Sequence, residues 1–131
     1  MPDAPQAATV NRWALYFGSL GGAVAWSAHF AVVYVAAEFG CLSGFGHRTY
    51  AGVNAVAWVV IVATVLALGV TAAAIWTAYR LDKFLEAEER GGTDTAAPRA
   101  HLARTGLITS VIFAFLTAVQ AIPVFFFLGE C

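Results

Sequence analysis

Three stretches of this chain carry no Asp, Glu, Lys or Arg at all: Trp13 to Ala37, Thr49 to Tyr79 and Thr105 to Gly129. Each exceeds the roughly 20 residues a helix needs to cross the hydrocarbon layer of a bilayer. None alternates polar and apolar residues as a barrel strand of about 10 residues would, and Ala, Leu and Val dominate with Gly interspersed. The pattern predicts an all-α integral membrane bundle of three transmembrane helices. The spans fall at about 13–38, 50–80 and 104–128, and the whole of 1–131 forms a single transmembrane domain. Three such runs in one buried soluble core would leave no polar face to cover them.

The polar remainder sets the direction. Arg80, Lys83, Arg90, Arg99 and Arg104 lie in or beside the segment between the second and third spans, whereas Arg48 alone lies between the first and second. The positive-inside rule places that hairpin, about 81–103, in the cytoplasm together with the N-terminus and Arg12, and the C-terminus on the periplasmic or extracellular side. The expected location is the bacterial inner membrane, crossed several times, with lipids as immediate neighbours. Leu, Lys and Glu between Arg80 and Arg90 continue the second helix into the cytoplasm. Gly91 and Gly92 end it, and Pro98 opens the third helix. Phe39 to Tyr50, with three glycines, reads as a compact outer loop. A signal-peptide reading of the N-terminal segment fits poorly, because its apolar stretch is longer than the usual 7–15 residues.

Composition sharpens this without changing it: 60% of the residues are hydrophobic and 11% charged, far from a soluble domain. The mixed charges of the hairpin form no phosphate loop and no nucleic-acid pattern, so no nucleic-acid partner is expected. Cys41 follows the first span and Cys131 follows the third, which puts both thiols at the same outer surface, where the compartment is oxidising. A Cys41–Cys131 disulfide is the expectation; free thiols, or a copper site with His47, are the alternatives.

Within the spans, Gly18 and Gly22 form a GxxxG pair that lets another helix approach, and Gly22, Trp26 and His29 share one face of the first helix. His29 is the only ionisable side chain inside a span. It lies 12 residues, about 18 Å, inward of Cys41, while Gln120 lies 11 residues, about 16 Å, inward of Cys131. The matched depths predict a His29–Gln120 hydrogen bond across the bundle, since a polar group in lipid needs a partner. A contact from His29 to lipid, quinone or another subunit, or ligation of haem, stays open. For haem, His47 and His101 lie at opposite surfaces and neither can supply the second ligand with His29. Glu38 reads as a solvated charge at the helix end and Asn54 as a local hydrogen-bonding group. Pro123 removes an amide donor from the third helix and predicts a kink there. No nucleophile–base or carboxylate pair is arranged for catalysis, and no metal or other cofactor is expected.

Gly22, Ala25, Trp26, His29, Tyr34 and Cys41 in the first span, with Gln120, Pro123 and Cys131, resemble the small membrane proteins encoded beside bacterial haem-copper (cytochrome c) oxidase genes. The resemblance covers the first and third helices. It implies a non-catalytic accessory or assembly subunit of a respiratory membrane complex, with other subunits of that complex as partners and no enzymatic activity of its own. A redox or metal-handling protein using haem or copper is the alternative. A homo-oligomeric small-molecule transporter is a weaker one, because the spans lack a buried carboxylate.

Overall fold

A computed structural model of the chain describes residues 11–92 and 96–127. Its element order is α1 (Arg12–Leu42), a single 3-10 turn (Phe45–His47), β1 (Thr49–Tyr50), β2 (Val53–Asn54), α2 (Ala55–Arg90) and α3 (Ala96–Phe127). All three α-helices are long and apolar enough to cross a membrane. Gly18 and Gly21 of α1 face Ala78 and Ala74 of α2, so those helices run antiparallel. Gly22 faces Ser110 and Ser19 faces Gly106, so α1 and α3 run parallel.

The helix ends follow from local chemistry. Asn11 caps α1 by accepting a hydrogen bond from the Trp13 amide at 3.0 Å. The second helix does not start near Tyr50 as the loss of charge suggests, because a β-hairpin intervenes. Ala51 (φ 52°) and Gly52 (φ 77°) are both left-handed, the backbone of a tight primed turn, and Thr49 and Tyr50 pair with Asn54 and Val53. Asn54 then caps α2: its Oδ1 accepts from the Val56 amide at 2.7 Å while its Nδ2 donates to the Gly46 carbonyl. The Ala55 amide donates to the Arg48 carbonyl at 2.8 Å, which ties the hairpin to the helix start.

The expected continuation of the second helix past its span is present. α2 reaches Arg90, and the Gly91 amide donates to the carbonyls of Ala87 and Glu88. Glu86 accepts from Lys83 at 3.2 Å and from Arg90 at 2.6 Å. These bonds, Lys83 first, hold its carboxyl below the usual carboxylate range. α3 begins at Ala96, with Pro98 in the first turn where its missing amide costs nothing. Pro123 lies inside α3, which is helical on both sides of it.

The bundle is built from small side chains inward and large ones outward. Gly18, Gly21, Gly22, Ala25, Ala74, Ala78 and Ala103 are buried, whereas Trp13, Leu20, Leu66, Trp76, Phe115 and Phe126 are exposed. Only 17%, 22% and 22% of the residues in the most apolar stretches of α1, α2 and α3 are buried within the bundle. That arrangement suits lipid, where apolar side chains gain nothing by turning inward and helices associate by close backbone packing. The GxxxG pair does not serve one partner helix. A Cβ on Gly18 would lie 3.2 Å from the Ala78 backbone of α2, and one on Gly22 would lie 2.9 Å from Ser110 Cα of α3. Trp26 packs on Phe113 with ring centroids 5.4 Å apart. Gly40 admits the side chain of Val56, which a methyl group there would strike.

Candidate functional site: a buried histidine beside an apolar groove

Residues facing inward along α2 recur at helical spacing: Val56, Val60, Ala67, Thr71, Ala74, Ala78, Asp82 and Leu85 are all buried. From α1 the inward stripe includes Gly22, Ala25 and His29. Ser110 and Thr117 of α3, two helical turns apart, complete a sparse polar interior.

His29 is 2% exposed, and its Nε2 lies 2.9 Å from Thr64 Oγ1 of α2. Thr64 spends its single hydroxyl proton on the Val60 carbonyl at 2.7 Å. The hydroxyl therefore has only lone pairs to offer the imidazole, so Nε2 carries the proton and donates it. Nδ1 is left as a bare acceptor, buried and with no hydrogen-bond partner among the described residues.

Gln120, the expected partner, does not hold His29. Its Oε1 is buried without a partner among the described residues. The reason is register. The parallel pairs Ser19–Gly106, Gly22–Ser110 and Trp26–Phe113 set Thr117 level with His29 and leave Gln120 about one turn further along. Counting depth from the two cysteines assumed that α1 and α3 end level, residue for residue, and that assumption misplaced the partner. Thr117 donates to the Phe113 carbonyl at 2.8 Å, and the hydroxyl within reach of His29 Nε2 is that of Thr64, so α2 rather than α3 supplies the contact.

Removing that contact is expected to be measurable. Thr64→Val keeps the shape of the side chain but leaves the Nε2 proton buried without an acceptor. It should lower unfolding stability in bicelles by about 1 kcal/mol, the scale of interhelical hydrogen bonds in membranes. Thr64→Ser, which keeps the hydroxyl, should recover most of the loss. Equal stabilities for the valine and serine variants would show that the bond contributes nothing.

His29 also lines a groove of about 710 Å³ along the α1–α2 seam, walled by Ala25, Ala28 and Val32 on one side and Val59, Ala63 and Ala67 on the other. A second hollow of about 540 Å³ shares Val32 and Val59 with it and continues past Gly40 to Ser43.

The far end of the bundle holds a different cluster. Asp82 is 7% exposed, and its Oδ1 sits 3.6 Å from Arg104 Nε across the α2–α3 interface. Glu86, Glu89 and His101 line the same small polar cavity. The Arg104 side chain is 63% exposed and that of Asp82 only 10%, so the two partners are unequal. Arg104→Gln strands a buried carboxylate, whereas Asp82→Asn leaves a solvated guanidinium. The arginine variant is expected to lose about 1 kcal/mol more than the asparagine variant in thermal unfolding, after allowing for solvent screening. Equal losses would mean that the carboxylate is well solvated.

The remaining sequence-derived sites separate by position. Glu38 and His47 are exposed at the end of the bundle that carries Cys41, and His101 is exposed at the opposite end. Cys131 lies outside the described residues, so the expected disulfide and the copper alternative both fall partly outside them. Among the described residues no group of three His, Cys, Asp or Glu side chains is placed to hold a metal ion. Sequence reasoning missed Thr64, Asp82, Ser110 and Thr117. The seven-residue spacings of Thr64 to Thr71 and of Ser110 to Thr117 were the pattern that marked inward faces. No protein-family model, curated protein or solved structure matches this chain.

Proposed function

We propose that this chain is a non-catalytic accessory or assembly subunit of a bacterial respiratory membrane complex, associated with a haem-copper oxidase and embedded in the inner membrane. The observation that carries the reading is the outward surface of the bundle. Few residues in the apolar stretch of each helix are fully buried among the described residues, and the helices present large side chains such as Trp13, Leu20, Phe30 and Phe115 to whatever surrounds them. The respiratory assignment rests on the sequence resemblance. Of the residues that carry it, Gly22, Ala25 and His29 are spent on internal packing, while Tyr34 is 59% exposed and free to meet a partner.

In this reading the α2–α3 hairpin with Arg80, Lys83, Arg90, Arg99 and Arg104 faces the cytoplasm and the end bearing Cys41 faces the periplasm. A Cys41–Cys131 disulfide fastens α1 to α3 on that side. Its support is register: the parallel pairing of α1 with α3 sets Phe127, where the description of α3 ends, level with Gly40 and four residues before Cys131.

Affinity purification from native membranes in mild detergent tests the function. Oxidase or related respiratory subunits are expected to accompany the chain. Recovery as a lone monomer or homo-oligomer would overturn the reading, and a Soret band or stoichiometric copper in the purified chain would favour a redox or metal-handling role instead.

A further inference from the structure

We infer that the outward face of α2 at Trp76 and Arg80 is a binding site for an anionic phospholipid, whose phosphate is held by the Arg80 guanidinium at the edge of the bilayer. The inference rests on the membrane-spanning part of the reading above and not on the respiratory assignment, because every protein group involved belongs to this chain.

Arg80 ends the uncharged run from Thr49 to Tyr79, so it is the first charge that α2 carries out of the hydrocarbon. It stands two positions from buried Ala78 and two from buried Asp82, about 200° round the helix from each. It therefore occupies the side of α2 turned away from the bundle, and it is exposed. Aromatic rings mark its depth. Trp76 and Tyr79 of α2 are exposed beside it, and the pairing of Gly18 with Ala78 sets the exposed Tyr16 of α1 level with it. Trp and Tyr gather where the headgroups begin, so a cation at this level stands among lipid phosphates.

The charges around Arg80 leave it available. Asp82 is paired with Arg104 across the α2–α3 interface, and Glu86 is shared by Lys83 and Arg90. Among the described residues no carboxylate pairs with Arg80 and no acceptor takes its N–H groups. Glu86, Glu88 and Glu89 lie at least six residues, about 9 Å, further from the membrane, beyond the screening length of about 8 Å at physiological ionic strength. The guanidinium carbon of Arg80 lies 5.9 Å from the centre of the Trp76 ring. That contact steadies the cation without using its donors, and the planar fork of a guanidinium matches two phosphate oxygens at once. A headgroup of net negative charge keeps the whole of this attraction, whereas the cationic group of a zwitterionic headgroup offsets part of it.

The purified full-length chain in mild detergent, supplied with equal amounts of phosphatidylglycerol and phosphatidylcholine, provides the test. Native mass spectrometry counts the lipids it retains. Phosphatidylglycerol should be retained about fivefold over phosphatidylcholine, the ratio that one basic residue's contribution of about 1 kcal/mol produces. Arg80→Gln should bring the ratio close to one, and Arg80→Lys, which keeps the charge and loses the fork, should fall between. Arg48→Gln is the control: Arg48 is exposed at the other end of the bundle and also has no carboxylate partner among the described residues. It should leave the ratio unchanged. Equal retention of the two lipids by the unaltered chain would overturn the inference. So would an equal effect of the two glutamine variants, which would reduce the preference to net charge. A chain that stays soluble without detergent would overturn the membrane reading and this site with it, whereas absence of respiratory subunits from native membranes would leave the lipid ratios as they are.

Discussion

Gly106→Ala is expected to destabilise the bundle by about 1–3 kcal/mol, the cost of forcing one extra methyl group into a filled interface. The added Cβ would stand 2.7 Å from Ser19 Cα and 2.9 Å from the Gly18 carbonyl oxygen. Both are backbone atoms of α1, so no side-chain rotation relieves the clash and the two helices must separate. Separation also weakens the Ser110 hydroxyl's 3.4 Å bond to the Gly18 carbonyl and the Trp26–Phe113 contact. In lipid this closeness is the main attraction between helices, since no hydrophobic force drives them together. Gly69→Ala is the matched control. Among the described residues nothing beyond the backbone of its own turn lies within 4 Å of a Cβ at Gly69, so the same chemical change there should be neutral or slightly stabilising. Unfolding in bicelles by steric trapping or by titration with a denaturing detergent measures both. Similar behaviour of the two variants would mean that α1 and α3 do not meet through Gly106.

The helices were legible in the sequence because lipid imposes a simple requirement: an uncharged run long enough to cross, with every backbone group bonded within it. The same criterion failed at Thr49 to Asn54, where absence of charge says nothing about backbone conformation. There the turn at Ala51 and Gly52 and the capping amide of Asn54 decide the structure. Gly18, Gly22 and Trp26 were recognisable as packing residues, but a GxxxG pair does not state how many helices it faces, and here it faces two. His29 stood out as the lone ionisable residue in a span. Its partner did not, because Thr64 is common in such helices and choosing it requires the register of α1 against α2. Asp82 was hidden for the opposite reason. It lies in a charged segment that reads as solvated, and only the packing of α3 over α2 reveals that it is buried beside Arg104.

The staple proposed between α1 and α3 makes a second large effect testable. Cys41→Ser and Cys131→Ser should each lower stability by about 2 kcal/mol, the low end of the range for disulfides, although the closed loop of about 90 residues is long. The low end applies because the unfolded chain in a membrane is still held by its inserted helices, so cross-linking removes less disorder than it would in water. Both substitutions break the same bond, so the double variant should lose no more than either single one. Reduction with dithiothreitol should shift the unaltered chain by the same amount and leave every variant where it was. Additive losses, or a reductant effect that survives in Cys41→Ser, would show that the two sulfurs act separately. The orientation would then lose its firmest chemical consequence, because a periplasmic disulfide requires both helix ends on the oxidising side of the membrane.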